Sequence, residues 1–181
     1  CPLNQAVAES WLRGQIEVYQ QHAYAENVQV VLHKAIAAIP TTDDPDAPRV
    51  LLCTFSGEPH PLPLLMMEVL LTLAGCRCIS LGVQTPLWDI MMASKAYGID
   101  AVALGFSHHM GPTQILDGLS ELRTKLPAAV EIWAVGTTAV LQRRQVPGVQ
   151  MLAGYDGLEG ALERLKAPPP EAAPTETPVG A

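Results

Sequence analysis

From Arg49 onward the chain alternates short apolar runs with amphipathic stretches, and this alternation constrains the fold more than any other feature. Strand-like runs cover 49–55, 77–81, 100–106, 130–135 and, weakly, 149–152. Helical patterns between them cover 62–74, 86–97, 112–125, 138–144 and 155–166. Gly75 and Gly98 follow helical stretches as caps. Pro86 and Pro112 suit first-turn positions, where no backbone donor is needed. Five strand–helix units of this size imply an α/β fold built on a doubly wound, five-stranded parallel sheet. The expected strand order is 2-1-3-4-5, the flavodoxin-like (Rossmann-like) arrangement, inferred from the number and size of the units.

Residues 3–39 read as a helical pair preceding the sheet. Ala6, Val7 and Trp11 mark a short amphipathic helix that ends at Gly14. A second helix runs from about Glu17 to Ile39, with an apolar stripe of Val28, Val31, Leu32, Ile36 and Ile39. The break matters: one continuous helix would set Trp11 and His22 about 16 Å apart, whereas a tight turn brings them toward one end of a hairpin. The expected organisation is a helical cap over 1–40, an exposed linker over 41–48, the α/β domain over 49–166 and a disordered tail over 167–181. Three aspartates in the linker lack the glycine turn and distal glutamate of a calcium loop, so they read as a solvated connector.

Bulk properties narrow the function. With 49% apolar and 16% charged residues, a sizeable core is available, and few aromatics make it mainly aliphatic. A net charge of −7 argues against gripping a nucleic-acid backbone, and Arg143-Arg144 is the only basic doublet. Cys1, Cys53, Cys76 and Cys78 show no CxxC spacing; Cys53 and Cys78 lie in apolar runs and read as small core residues. That usage suits a reducing cytoplasm, and no apolar run is long enough to span a bilayer. The chain begins at Cys1 rather than a methionine, which suits a fragment of something longer.

In the 2-1-3-4-5 order, ligands bind where strands one and three diverge. The loops there are 56–61, containing Glu58-Pro59-His60, and 106–111, containing Ser107-His108-His109. A carboxylate two residues before a histidine can hold one imidazole nitrogen and leave the other free to coordinate a metal. On the tripeptide alone a surface histidine without function is the better reading; two histidine loops meeting at the crevice reverse it. Other chemistries fit less well. The third strand ends Leu104-Gly105-Phe106, without a receiver's aspartate. No Walker loop or three-glycine dinucleotide fingerprint occurs, and no Ser/Thr-rich loop after strand one favours flavin. Zinc on His60, His108 and His109 lacks a cysteine or second carboxylate at recognisable spacing, and ranks behind a cofactor that brings most of its own ligands.

The stretch Gly57-Glu58-Pro59-His60-Pro61-Leu62-Pro63-Leu64-Leu65-Met66 resembles the cobalamin-binding domain of light-responsive MerR-type transcriptional regulators, the CarH and LitR kind. Leu81 to Leu87, including Thr85, is similar to that family's second βα loop, Val102 to Ser107 to its third strand, and Trp133-Ala134-Val135-Gly136 to its fourth strand and glycine pair. Upstream, Trp11, nine residues, then Gln21-His22 resembles its Trp-x9-Glu-His cap motif. The resemblance covers roughly 2–166 and implies cobalamin as cofactor. His60 would be the lower axial cobalt ligand, oriented by Glu58 and carried with Pro59. Pro63, Thr85, Gly105, Ser107, Val135 and Gly136 match motif positions around the cofactor; Ser107, Gly105 and Gly136 would line the cleft for its displaced benzimidazole. Trp11 would cover the upper face, with Gln21 and His22 at the upper ligand. Without the resemblance, Trp11 reads as core between two helices.

There are departures. Leu12 stands where the light sensors carry a histidine that takes cobalt after photolysis, so a bis-histidine photoproduct through that position is excluded. Gln21 replaces glutamate, Pro63 a glycine, Gly105 a serine and Val135 the first glycine of the pair. Residues 3–39 supply half of the family's four-helix cap, and its DNA-binding module is absent from this sequence. The resemblance thus implies a non-enzymatic sensory domain, a homo-oligomer that reaches DNA through an upstream module, with no membrane partner. The alternative is a corrinoid methyl carrier, whose usual Asp-x-His-Asp-Ile-Gly-Lys-Asn is replaced here by Glu58-Pro59-His60-Pro61-Leu62-Pro63-Leu64-Leu65. A cofactor-free interaction module is the third reading.

Overall fold

The computed structural model describes residues 6–7, 9–10, 13–107, 109–136, 143–153 and 155–166. The helix expected at 138–144 and the tail from 167 fall mostly or wholly outside them.

Five strands form one parallel sheet: β1 (Arg49–Phe55), β2 (Arg77–Thr85), β3 (Ala101–Phe106), β4 (Glu131–Gly136) and β5 (Gln150–Ala153), in the order β2-β1-β3-β4-β5. This is the order expected from the sequence. Apart from Arg49 and Thr54 in β1 and Glu131 in β4, the central strands are apolar because both faces are covered. Leu51, Cys53, Val102, Leu104, Ile132 and Ala134 point into one core, beneath α3 (Leu87–Tyr97) and α4 (Pro112–Lys125). The alternate residues Val50, Leu52, Ala101, Ala103, Trp133 and Val135 point into the other, beneath α2 (Leu62–Leu73) and α5 (Asp156–Lys166). The side-chain period of two therefore divides each central strand between two cores.

β2 is longer than the 77–81 expected. Its pairing with β1 slips between Leu52 and Cys53 and again between Cys53 and Phe55. Gly82 (φ 79°) and Gln84 (φ 56°) absorb the extra residues in left-handed conformations. Such bulges bend a strand and re-aim its end.

Ahead of the sheet, Gly14 has φ 67°. It is followed by α1 (Val18–Ala38), whose start is fixed by Glu17 N–H donating to Gln20 Oε1 at 2.8 Å. α1 rests on α2, and none of its 21 residues is fully buried. Val28, Leu32 and Ile36 form the half-buried line, and Ile39 continues it just beyond the helix. Val31, expected in that stripe, is 64% exposed, because the contact follows a narrow i, i+4 row. The linker is also less exposed than expected. Ala47 and Pro48 are buried, the Pro48 carbonyl accepts Arg77 N–H at 2.8 Å, and the Arg77 guanidinium donates to the Asp44 carbonyl at 2.8 Å. Among the described residues, no helix is long and apolar enough to cross a membrane.

Candidate functional site

β1 ends at Phe55, and Gly57 (φ 97°) turns the chain back so that Glu58 N–H meets the Phe55 carbonyl at 3.0 Å. A β-carbon there would carry the strain of a left-handed backbone, which glycine avoids. The turn drives Glu58 inward until it is 0% exposed. A buried carboxylate needs donors, and four reach it. His60 supplies its backbone N–H at 3.2 Å and Nδ1 at 2.9 Å, both to Oε1. Ser107, at the end of β3, supplies its backbone N–H to Oε2 at 2.9 Å and its hydroxyl at 2.9 Å from each oxygen.

An ionised carboxylate only accepts, so in this pairing Nδ1 of His60 is the donor. The His60 side chain is 51% exposed. Thr54 braces the turn from below: its buried hydroxyl donates to the Glu58 carbonyl at 2.7 Å and accepts Gln84 N–H at 2.8 Å. The left-handed residue of β2 is thus joined to the histidine loop. Beneath both loops, Phe55 and Phe106 meet edge to face at 5.7 Å. His109 lies beside His60, with ring centroids 5.3 Å apart, and its backbone N–H donates to Ser107 Oγ at 3.1 Å.

Among the residues singled out from sequence, the structure joins Glu58, His60 and Ser107 directly, with Pro59 between the first two. Ser107 was expected against a flat base; its hydroxyl lies 2.9 Å from both Glu58 oxygens and accepts the His109 N–H. Thr85 ends β2 opposite Phe55, buried, with its hydroxyl 3.4 Å from the Gly82 carbonyl. Gly105 lies under the first turn of α2, where an added β-carbon would meet Met67 Cε at 3.4 Å and Leu64 N and Pro63 Cβ at 3.5 Å. Val135 is 1% exposed within the core, and Gly136 pairs with Phe106 and Ala153. Tyr155, unmarked by the sequence reading, ties the Pro63 carbonyl to the start of α5 through its hydroxyl at 3.3 Å. Burial pushes that hydroxyl up to about 12. Half-buried Gln21 and exposed His22 lie on α1, without a hydrogen bond to the cluster. Trp11, Leu12 and His108 lie outside the described residues. Sequence reasoning also missed Thr54 and Gln84. A threonine in an otherwise apolar strand was the one available signal for the first; nothing marked the second.

Burial pushes the Cys53 thiol upward and Cys78 up to about 12, so both are neutral core groups rather than ligands. Among the described residues, no group of three or more His, Cys, Asp or Glu side chains could hold a metal ion. The first turn of α2 closes onto Gly105. Grooves of about 530 Å³ between β2 and α3 and about 520 Å³ along 145–152 are not lined by His60 or Ser107.

No family model matches the chain, and no curated protein matches it. Among solved structures, a novel cobalamin-binding protein from Desulfitobacterium hafniense DCB-2 aligns over 91% of this chain and 78% of its own, at 20% identity and a TM-score of 0.48. By itself, a likeness of that depth assigns nothing to this chain.

Proposed function

We propose that this chain is a cobalamin-binding domain with His60 as the lower axial ligand of cobalt. The observation that carries the reading is the half-exposed imidazole, anchored at Nδ1 by a wholly buried carboxylate. When bound, cobalamin supplies a cobalt centre whose upper ligand can be exchanged or lost. The chain's own part is to hold the imidazole in one tautomer. Glu58 does this, and Ser107 fixes Glu58 in turn.

The finer reading is a sensory domain of a transcriptional regulator, responsive to the state of the upper ligand and to light. It is supported by the order of motifs, with Trp11 and Gln21-His22 before the sheet, and by the apolar Pro61-Leu62-Pro63-Leu64-Leu65 where methyl carriers are polar. Self-association and DNA binding through a further module belong to the same reading.

The test is an electron paramagnetic resonance spectrum of the cob(II)alamin-loaded protein prepared with ¹⁵N-histidine. Nitrogen coupling that changes with the label identifies a protein imidazole on cobalt, and His60→Ala should remove it. Coupling indifferent to both label and mutation overturns the ligand assignment. Illumination of the adenosylcobalamin form should change its oligomeric state if the sensory reading holds. Turnover of methylcobalamin with a methyl acceptor would favour the carrier.

A further inference from the structure

The geometry points to a second use of the same imidazole: His60 and His109 form a two-histidine site for one divalent transition ion of the zinc class. The rings come from loops that follow different strands, yet their centroids are 5.3 Å apart at an interplanar angle of 64°. With Zn–N bonds of about 2.0–2.1 Å and tetrahedral angles, two imidazoles on one ion place their centroids about 5 Å apart. The observed 5.3 Å is close to that spacing.

The support beneath the pair fits the same chemistry. Ser107 Oγ accepts the His109 backbone N–H at 3.1 Å while donating to Glu58 at 2.9 Å. Glu58 takes His60 Nδ1 at 2.9 Å. Both loops are therefore tied to one carboxylate–hydroxyl pair, through the ring of His60 and the backbone of His109, and His60 has the carboxylate–histidine arrangement that orients metal ligands. Imidazole suits zinc, nickel and copper. With only two protein donors, water completes the coordination, and affinity is modest. The competing account is an edge-to-face contact between two exposed rings with no ligand.

The inference does not depend on the corrinoid reading, and the two separate cleanly. A corrinoid needs His60 alone, whereas the ion needs His60 and His109. Since Nε2 of His60 serves only one metal at a time, the ion and the corrinoid exclude each other.

Zinc chloride is titrated into the full chain against a chromophoric zinc indicator, and aquocobinamide binding is followed separately by its visible spectrum. The wild type should take one zinc per chain. His109→Ala and His109→Gln should weaken zinc by about tenfold or more, since loss of even an outer-shell partner costs about 10–100-fold. Both variants should leave cobinamide affinity unchanged. His60→Ala should lose both, and saturating zinc should weaken cobinamide binding to the wild type. Circular dichroism verifies that each variant is folded. Wild-type zinc affinity in the His109 variants, or no stoichiometric zinc uptake by the wild type, overturns the site. Failure of cobinamide to bind, with zinc behaviour as expected, overturns only the corrinoid reading. Weak residual binding in the His60/His109 double variant reports the three remaining histidines, His22, His33 and His108; full binding there overturns the proposal.

Discussion

Replacing Ser107 with alanine removes the hydroxyl beneath His60 and keeps the backbone N–H that also reaches Glu58. The hydroxyl is 2.9 Å from both oxygens of a carboxylate that solvent does not reach. A hydrogen bond to a charged group contributes about 1.5–3 kcal/mol. Two features pull the value down: three donors remain on Glu58, and Ser107 is only half-buried, so water can partly replace the lost group. One feature pulls it up, because His109 N–H loses its acceptor. The balance favours the low end, about 1.5–2 kcal/mol. Urea unfolding followed by far-ultraviolet circular dichroism should show a midpoint lowered by about 1 M, for a slope of about 1–3 kcal/mol/M that does not change. Cobinamide affinity should fall by about tenfold, since an orienting partner of the ligand is loosened. A stability loss under about 0.5 kcal/mol would show that the hydroxyl–carboxylate bond does not hold the two loops together.

Gly118 lies inside α4, where alanine gains about 1 kcal/mol of helix propensity. Its new β-carbon would sit 2.8 and 3.0 Å from the Phe55 ring, and overpacking of about 1–3 kcal/mol should outweigh the gain, so calorimetry should show Gly118→Ala melting lower; a higher melting temperature refutes the packing argument. In alkaline solution, Tyr155 and Cys78 hold their protons up to about 12, above their ordinary values of 10.0 and 9.0. Raised folded-state values mean that the stabilisation is complete below pH about 9 and is lost as pH climbs toward 12. Unfolding free energies between pH 8 and 11.5 should therefore decline, and Tyr155→Phe should flatten the part above pH 10; an equally steep decline would show that the hydroxyl ionises freely. On the cobalamin reading, with its nucleotide tail entering beside Pro63, Tyr155→Ala should also speed cobalamin uptake without changing that of the tail-less cobinamide, measured by stopped-flow absorbance, because Tyr155 bonds the Pro63 carbonyl. Equal acceleration of both would place Tyr155 elsewhere in the entry path.

The parts of this fold that were legible in the sequence are those where burial is two-sided. β1 and β3 read as strands because both faces need apolar side chains, which leaves no polar register to blur the run. β2 was cut short at Leu81 because Gly82 and Gln84 look like turn residues; they are bulges inside a continuing strand, and periodicity does not carry through a bulge. Val31 was misplaced for a related reason. A helix resting on one neighbour buries a single row, so an apolar residue one step off the row faces out.

The site divides along the same line between local and distant contacts. Glu58 and His60 are two residues apart, and a carboxylate at that spacing reaches the imidazole through a short turn. The Ser107–Glu58 bonds cross 49 positions. The strand order predicted that their loops converge, but strand order does not say which side chain meets which. Local pattern and chain topology therefore gave the address of the crevice, whereas Thr54, Ser107 and the His60–His109 spacing needed coordinates. Gly105 shows the limit of motif matching. A glycine in the family's position suggested room for a base, yet loss of a side chain equally allows α2 to settle onto the strand, and Pro63, Leu64 and Met67 do so here. A small residue permits two outcomes, an open cleft or a closer helix, and packing against the neighbouring element decides between them.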